Sequence, residues 1–344
     1  MGRMRVAVVG ATGAVGREMV RTLEERGFPA DELVPLASPR SEGKRIRFHG
    51  EEFVVRPLSP SALRGVELAL WSAGATVSRA VVPEVAAAGT VCVDNSSAFR
   101  QDPDVPLVVP EINPEALEGS PPPRIVANPN CTAITMLMAV APLHRAAGLR
   151  SLVVSSYQSV SGAGMRAILE LADQVEKLHG TEEHLVRPDH DALPRGDVFG
   201  RTIAFNVLPL QGGMEGDWTG EERKLMGEPR KILGLPDLEV HATVVRVPVV
   251  TGHSVSVYVT FDRPITPDEA REVLGRAPGV RVVDDPGAGI YPTPLDAAGI
   301  DDVLVGRVRQ AEGRDDALLL FASGDNLRKG AALNAVQIAE KLFL

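Results

Sequence analysis

The chain has 344 residues, room for one large or two medium domains. Its 44% hydrophobic and 24% charged content is that of an ordinary globular protein, and no run approaches the roughly 20 apolar residues that span a bilayer. A formal net charge of −9 argues against nucleic acid or an anionic membrane as the main partner, because both reward basic surface.

The basic start Met1-Gly2-Arg3-Met4-Arg5 runs straight into strand-like residues, with no apolar signal core and no small-residue cleavage pattern. A cytosolic protein is expected. Up to about residue 130, strand and helix patterns alternate. Arg5–Val9 reads as a buried strand, and Ala14–Arg26 as a helix with Val15, Met19 and Leu23 on one face. Leu33–Ala37, Glu52–Arg56, Leu68–Trp71, Val91–Asp94 and Ile125–Ala127 read as further strands, with a helix over Val77–Ala88. Such alternation predicts an α/β, Rossmann-like unit built on a doubly wound, mostly parallel sheet.

Beyond residue 131 the rhythm changes. A helix over Cys131–Ala147 leads into a long strand, Leu149–Val160, then a polar helix over Arg166–His179 and a loop rich in Pro, Asp and His. Strands are expected near Ile203–Val207, His241–Val247, Ser254–Thr260, Arg281–Asp284, Val303–Gln310 and Ala317–Ala322. Strands with few helices between them predict a second, α+β domain on a mixed or antiparallel sheet. The last segment, Asn326–Leu344, is helical and is expected to return to the first domain. The expected division is thus 1–130, completed by 325–344, and 131–324.

Gly10-Ala11-Thr12-Gly13-Ala14-Val15-Gly16 falls between the first strand and the first helix, which is the context a dinucleotide loop requires. Gly10 and Gly13 let the backbone approach a pyrophosphate, whose charge the helix start then meets. An NAD site usually has an acid about 20 residues on, for the ribose 2′-hydroxyl. Here the second strand ends in Leu36-Ala37-Ser38-Pro39-Arg40-Ser41, and Arg40 with Ser41 suits a 2′-phosphate. NADP is therefore the expected cofactor, the alternative being that Arg40 is a plain surface residue. No metal site is expected.

Of the two cysteines, Cys92 lies in an apolar strand and reads as buried packing. Cys131, in Asn128-Pro129-Asn130-Cys131-Thr132, stands at the start of a long apolar helix, where dipole and free N–H groups favour a thiolate nucleophile. Two cysteines make no disulfide framework. His253 sits at the joint of two strands, seven residues after Arg246, and spacing alone reads it equally well as a structural histidine.

Taken together, the glycine loop, Ser96-Ser97-Ala98-Phe99-Arg100, Val109-Pro110-Glu111-Ile112-Asn113 and the Cys131 segment resemble the aspartate-β-semialdehyde dehydrogenase family. So do Tyr157-Gln158-Ser159-Val160-Ser161-Gly162-Ala163-Gly164, Arg246-Val247-Pro248 with Gly252-His253-Ser254, and Ser323-Gly324-Asp325-Asn326-Leu327-Arg328-Lys329-Gly330-Ala331. The matches come in order from residue 10 to about residue 340, in the bacterial form of the family. The resemblance implies NADPH-dependent reductive dephosphorylation of L-aspartyl-4-phosphate to L-aspartate-4-semialdehyde, for lysine, methionine and threonine synthesis. It makes Cys131 the nucleophile that carries the thioester, Gln158 the residue orienting the intermediate, and His253 the acid/base. Arg246 becomes the clamp on the α-carboxylate, Arg100 and Lys224 the phosphate pair, with Asn130 assisting, and Glu221 the partner of the α-amino group. Thr12, Ala14 and Val15 join the glycines at the cofactor, with Ser161, Gly162 and Asn326 at its nicotinamide half. The N–H of Cys131 is the candidate oxyanion donor.

The family also implies a small-molecule substrate and a homodimer formed through the second domain, in some members paired into a tetramer. One departure is Ala133, where a small hydroxyl residue is usual. N-acetyl-γ-glutamyl-phosphate reductase runs the same chemistry, but its segment usually reads Gly-Cys-Tyr and its substrate has no ammonium for Glu221 to meet. Glyceraldehyde-3-phosphate dehydrogenase would show a Ser-Cys-Thr-Thr-Asn-Cys run, absent here. A catalytically idle NADP-binding sensor would lack the cysteine, histidine or arginine, and all three are present.

Overall fold

The computed structural model describes residues 4–344; most of the basic start, Met1–Arg3, lies outside the described residues. After the half-buried Arg5, the first strand, β1 (Arg5–Val9), is apolar on both faces and enclosed from Val6 to Val9, as a central strand of a parallel sheet must be. It leads through the glycine loop into α1 (Ala14–Glu25), then β2 (Glu32–Ala37). A hairpin, β3 (Arg45–Phe48) and β4 (Glu51–Val54), stands apart from the main sheet. The strand expected at Glu52–Arg56 is therefore split between this hairpin and β5 (Arg56–Pro57): Glu52–Val54 pairs back on Arg45–Arg47, while Val55 is buried and Arg56 turns to pair with β2. Next come β6 (Leu68–Trp71), α2 (Ala75–Ala87), β7 (Val91–Asp94) and β8 (Ile125–Ala127). The sheet runs β5-β2-β1-β6-β7-β8 with every pair parallel. Strand order reverses between β1 and β6, the crevice where open α/β sheets bind ligands.

The helix α3 (Cys131–Ala147) is buried nearly all round and packs against the second sheet. It feeds β9 (Leu149–Gln158), followed by α4 (Met165–Leu178). No strand forms at Ile203–Val207. That stretch makes turns, with a single bridge from Leu208 to Arg246, and packs Ile203 and Ala204 against α4. A small hairpin, β10 (Met214–Glu215) and β11 (Trp218–Thr219), leads into α5 (Gly220–Leu233). Then follow β12 (Glu239–Arg246), β13 (His253–Phe261), α6 (Pro267–Gly275), β14 (Val280–Val282), α7 (Pro294–Ala297), β15 (Val303–Gln310) and β16 (Ala317–Gly324). The helices α5 and α6 were not foreseen, although both open on a capping box, Thr219 with Glu222 and Thr266 with Glu269. The second sheet, β12-β9-β13-β16-β15-β14, is mixed, with parallel pairs only at its two ends.

The C-terminal segment opens with a π-helical turn at Arg328–Ala332 before α8 (Leu333–Phe343). Helix α8 shares a core with α1 and one face of the first sheet. Lys329 is fully enclosed and donates to Glu111, Asn334 and Gln337 at 2.6, 2.8 and 2.7 Å, which fastens this turn to the first sheet's loops. No helix among the described residues is long and apolar enough to cross a membrane.

Candidate active site

Asn130 starts α3. Its extended backbone ends the preceding loop, and its Oδ1 accepts the N–H groups of Thr132 and Ala133 at 3.0 and 3.2 Å. Such caps contribute about 1 kcal/mol and, more to the point, fix where the helix begins. Cys131 is thereby the first helical residue, and neither cap bond uses its N–H. Asn130 is held twice more: its N–H donates to Glu228 Oε2 at 2.6 Å and its Nδ2 to Glu221 Oε2 at 3.0 Å.

Three neighbouring strands bring the next groups to the same end of the second sheet. Gln158 ends β9 and is the register partner of Arg246, which ends the parallel β12. His253 begins the antiparallel β13 beside them. Gln158 Nε2 donates to the Thr132 hydroxyl at 2.8 Å, which ties the strand to the helix that bears the cysteine. Gly162 is a glycine for a reason of space, since a Cβ there would lie 3.0 Å from both Arg246 Nη1 and His253 Nε2.

His253 is buried. The backbone N–H of Ser159 donates to its Nδ1 at 3.1 Å; that donor is fixed, so Nδ1 is the acceptor. Neutral His253 then carries its proton on Nε2. Burial, then the Arg246 charge, hold its pKa well below the ordinary histidine range.

Helix α5 turns Glu221, Lys224 and Glu228 to one face, at i, i+3 and i+7. Burial pushes the Glu221 carboxyl up, but Lys224, Asn130 and Arg100 outweigh it and hold it below its usual value. Lys224 and Glu221 form an ion pair. Glu228 is fully enclosed, and burial raises it against the opposing pull of Arg100 and the Asn130 N–H. Arg100 donates to Asn128 O at 2.9 Å, Glu228 Oε1 at 3.1 Å and Asn95 O at 2.8 Å.

The thiol departs from expectation. Burial pushes the Cys131 pKa up, and Glu221 adds to this; Arg100, Arg246 and Lys224 pull the other way without prevailing. A helix start alone does not hold a thiolate when the sulfur is desolvated beside a carboxylate. Cys92 is buried in β7, with its thiol pushed up to about 12.

The glycine loop fits a dinucleotide. Gly10 has φ +87, and a Cβ there would meet Ser72 O at 2.7 Å, so only glycine lets β1 turn this close to the end of β6. Gly13 caps α1 without a side chain, which leaves that helix's first N–H groups to an anion. At the crevice's other end, Thr12 Oγ1 and Ser41 Oγ lie 3.1 Å apart, and Arg40 is exposed beside them.

One cleft of about 310 Å³ is lined by Cys131, Gln158, His253, Arg100, Asn130, Glu221, Lys224, Arg246, Ser161, Gly162, Asn326 and Val15. Gly10, Thr12, Gly13 and Ala14 lie along the adjoining loop, outside the lining of this cleft, and Ser41, with Arg40 next to it in sequence, meets that loop at Thr12. Asn326 is committed to protein partners, donating to Ser161 Oγ at 2.9 Å and accepting the Gly252 N–H at 2.9 Å. Sequence reasoning missed Glu228, Gln211 and the role of Ser159. Glu228 was within reach from its spacing to Glu221; Gln211 carried no signal.

A cysteine facing an anion-binding cleft, beside a dinucleotide crevice, describes a nicotinamide-dependent dehydrogenase that works through an acyl-enzyme. The comparisons narrow that class. Residues 5–120 match the semialdehyde dehydrogenase NAD binding domain, and residues 140–329 the semialdehyde dehydrogenase dimerisation domain. The aspartate-semialdehyde dehydrogenase of Corynebacterium glutamicum is 51% identical, with 98% of each chain covered, and that of Bacillus subtilis 46%, with 99% and 98% covered. The crystal structure of aspartate semialdehyde dehydrogenase II from Vibrio cholerae superposes with a TM-score of 0.90 at 43% identity, over 99% of this chain and 98% of that one. The chain belongs to the aspartate-semialdehyde dehydrogenase family.

Proposed function

We propose that the chain catalyses the NADPH-dependent reductive dephosphorylation of L-aspartyl-4-phosphate to L-aspartate-4-semialdehyde, the step that serves lysine, methionine and threonine synthesis. The observation that carries this reading is the convergence on one cleft of a helix-start cysteine, three cations and one carboxylate. The substrate bears an ammonium, a carboxylate and an acyl phosphate, and the cleft holds a counterpart for each. Arg246 takes the carboxylate and Glu221 the ammonium; Arg100 and Lys224, with Asn130, take the phosphate. The Glu221–Lys224 pair makes the exchange economical, since the substrate's ammonium and phosphate replace each partner of an existing ion pair.

Cys131 gives up its thiol proton and attacks the acyl phosphate; the departing phosphate takes up a proton in turn, which leaves the β-aspartyl thioester. The phosphate cations adjoin the thiol, and ionisation at Cys131 is drawn by Arg100, Arg246 and Lys224. When bound, NADPH supplies the hydride that reduces the thioester. Gly10, Thr12, Gly13, Ala14 and Val15 would hold its diphosphate, Arg40 and Ser41 the 2′-phosphate, and Ser161 and Gly162, braced by Asn326, its nicotinamide side. His253 donates a hydrogen bond from Nε2–H to the tetrahedral oxyanion, beside the N–H of Cys131, and that anion collapses to the semialdehyde as the thiolate leaves, with no proton transferred. Gln158, anchored on Thr132, keeps the acyl group in line.

Residues 1–130 with 325–344 form the cofactor unit, and 131–324 carry the chemistry and the homodimer contact; the protein works in the cytoplasm. Phosphate-dependent reduction of NADP with aspartate semialdehyde tests the reaction. Cys131→Ala abolishes it, and wild-type turnover in that variant would remove the covalent route.

A further inference from the structure

Arg246 is more tightly held than a ligand-binding arginine needs to be. Its Nε and Nη2 both donate to Gln211 Oε1, at 3.1 and 3.0 Å, and its Nη1 donates to Ser159 O at 2.6 Å. The Phe199 ring lies 6.0 Å from its Cζ. A guanidinium has five N–H donors, so these three bonds leave one on each terminal nitrogen. Those two remaining donors belong to the nitrogens that can grip a carboxylate in parallel.

We propose that Gln211 is a positioning residue for substrate selectivity: its amide oxygen fixes the Arg246 guanidinium so that its two free donors select an α-carboxylate. The inference rests on the reading of Arg246 as the carboxylate clamp. Gln211 is buried, and no charge on it competes with the guanidinium for the ligand. It also opens the turn that leads through β10 and β11 to α5, and Gly220 N–H closes that turn on Gly213 O at 2.9 Å. One short segment therefore braces the carboxylate clamp at its start and places Glu221, for the ammonium, at its end.

The test uses Gln211→Leu, which keeps most of the volume without the acceptor, and Gln211→Ala, which removes both. Each variant is expected to raise KM for aspartate semialdehyde about tenfold, the scale of one charge-assisted hydrogen bond, with KM for phosphate and NADP unchanged. Preference for aspartate semialdehyde over 3-aminopropanal, which has the ammonium but no carboxylate, should fall by the same factor. An unchanged KM in both variants overturns the proposal. A lowered KM also overturns it, because Gln211 would then occupy the substrate's place. A rise only in Gln211→Ala, or an equal rise for all three substrates, reduces Gln211 to packing. Arg246→Lys run in parallel separates the two readings: if it leaves KM for the semialdehyde unchanged, the clamp itself is wrong; if it raises that KM and the Gln211 variants do not, only this inference fails.

Discussion

Replacing Arg246 by lysine keeps the positive charge and removes the planar fork. In the structure three of the five guanidinium N–H groups are spent on Gln211 and Ser159, leaving two for a ligand. An ammonium has three donors in all. Serving the same two protein acceptors leaves it one for the substrate, so one bond to the carboxylate is lost. A hydrogen bond to a charged group contributes about 1.5–3 kcal/mol, which corresponds to about 10- to 150-fold in KM or kcat/KM. The assay follows NADPH formation with aspartate semialdehyde, phosphate and NADP varied in turn. KM for the semialdehyde should rise within that range and kcat should fall, because a carboxylate held by one bond no longer aligns the aldehyde with Cys131. KM for phosphate should hold, since Arg100 and Lys224 are untouched. A semialdehyde KM within about twofold of wild type would show that Arg246 does not bind the carboxylate and that the donor count is irrelevant to function.

Two further outcomes follow from the same geometry. Arg40→Ala should erode the preference for NADP over NAD, measured as the ratio of kcat/KM values, because the exposed guanidinium next to Ser41 then no longer meets the 2′-phosphate; an unaltered ratio would place that phosphate elsewhere. His253 has a folded pKa well below its unfolded value of about 6.5, so below that pH the unfolded chain binds a proton that the native state refuses. Its contribution is fully present above about pH 6.5 and is lost as pH falls towards the folded pKa, at up to about 1.4 kcal/mol per pH unit. The unfolding midpoint of the wild type should therefore drop more steeply as pH falls below about 6.5 than that of His253→Gln. Parallel curves would mean that His253 is not buried in its neutral form.

Much of this protein was legible in the chain. Periodicity placed the parallel sheet, the apolar helix after Cys131 and all six strands of the second sheet, because both the alternation and the all-round burial of α3 leave direct marks on residue order. The glycine loop was legible because a strand-turn-helix approach to phosphate demands residues that no other pattern requires. The misses also have causes. Glu52–Arg56 has the apolar centre of a strand, but most of it pairs locally with Arg45–Phe48 instead of joining the main sheet, and Ile203–Val207 is apolar because it packs on α4 rather than because it pairs. Helices α5 and α6 are amphipathic over only a few turns, and their capping boxes are the one mark of them in the sequence.

What residue order cannot carry is who meets whom across the fold. Arg100 and Glu228 are separated by 128 positions, and Ser159 and His253 by 94. Their pairing exists only once α5 lies across the start of α3 and β9 lies beside β13. For the same reason the nucleophile could be named from its place at a helix start, but the state of its thiol could not. Desolvation by the closed fold, and a carboxylate brought in by another helix, decide that balance, and both are properties of the tertiary structure alone.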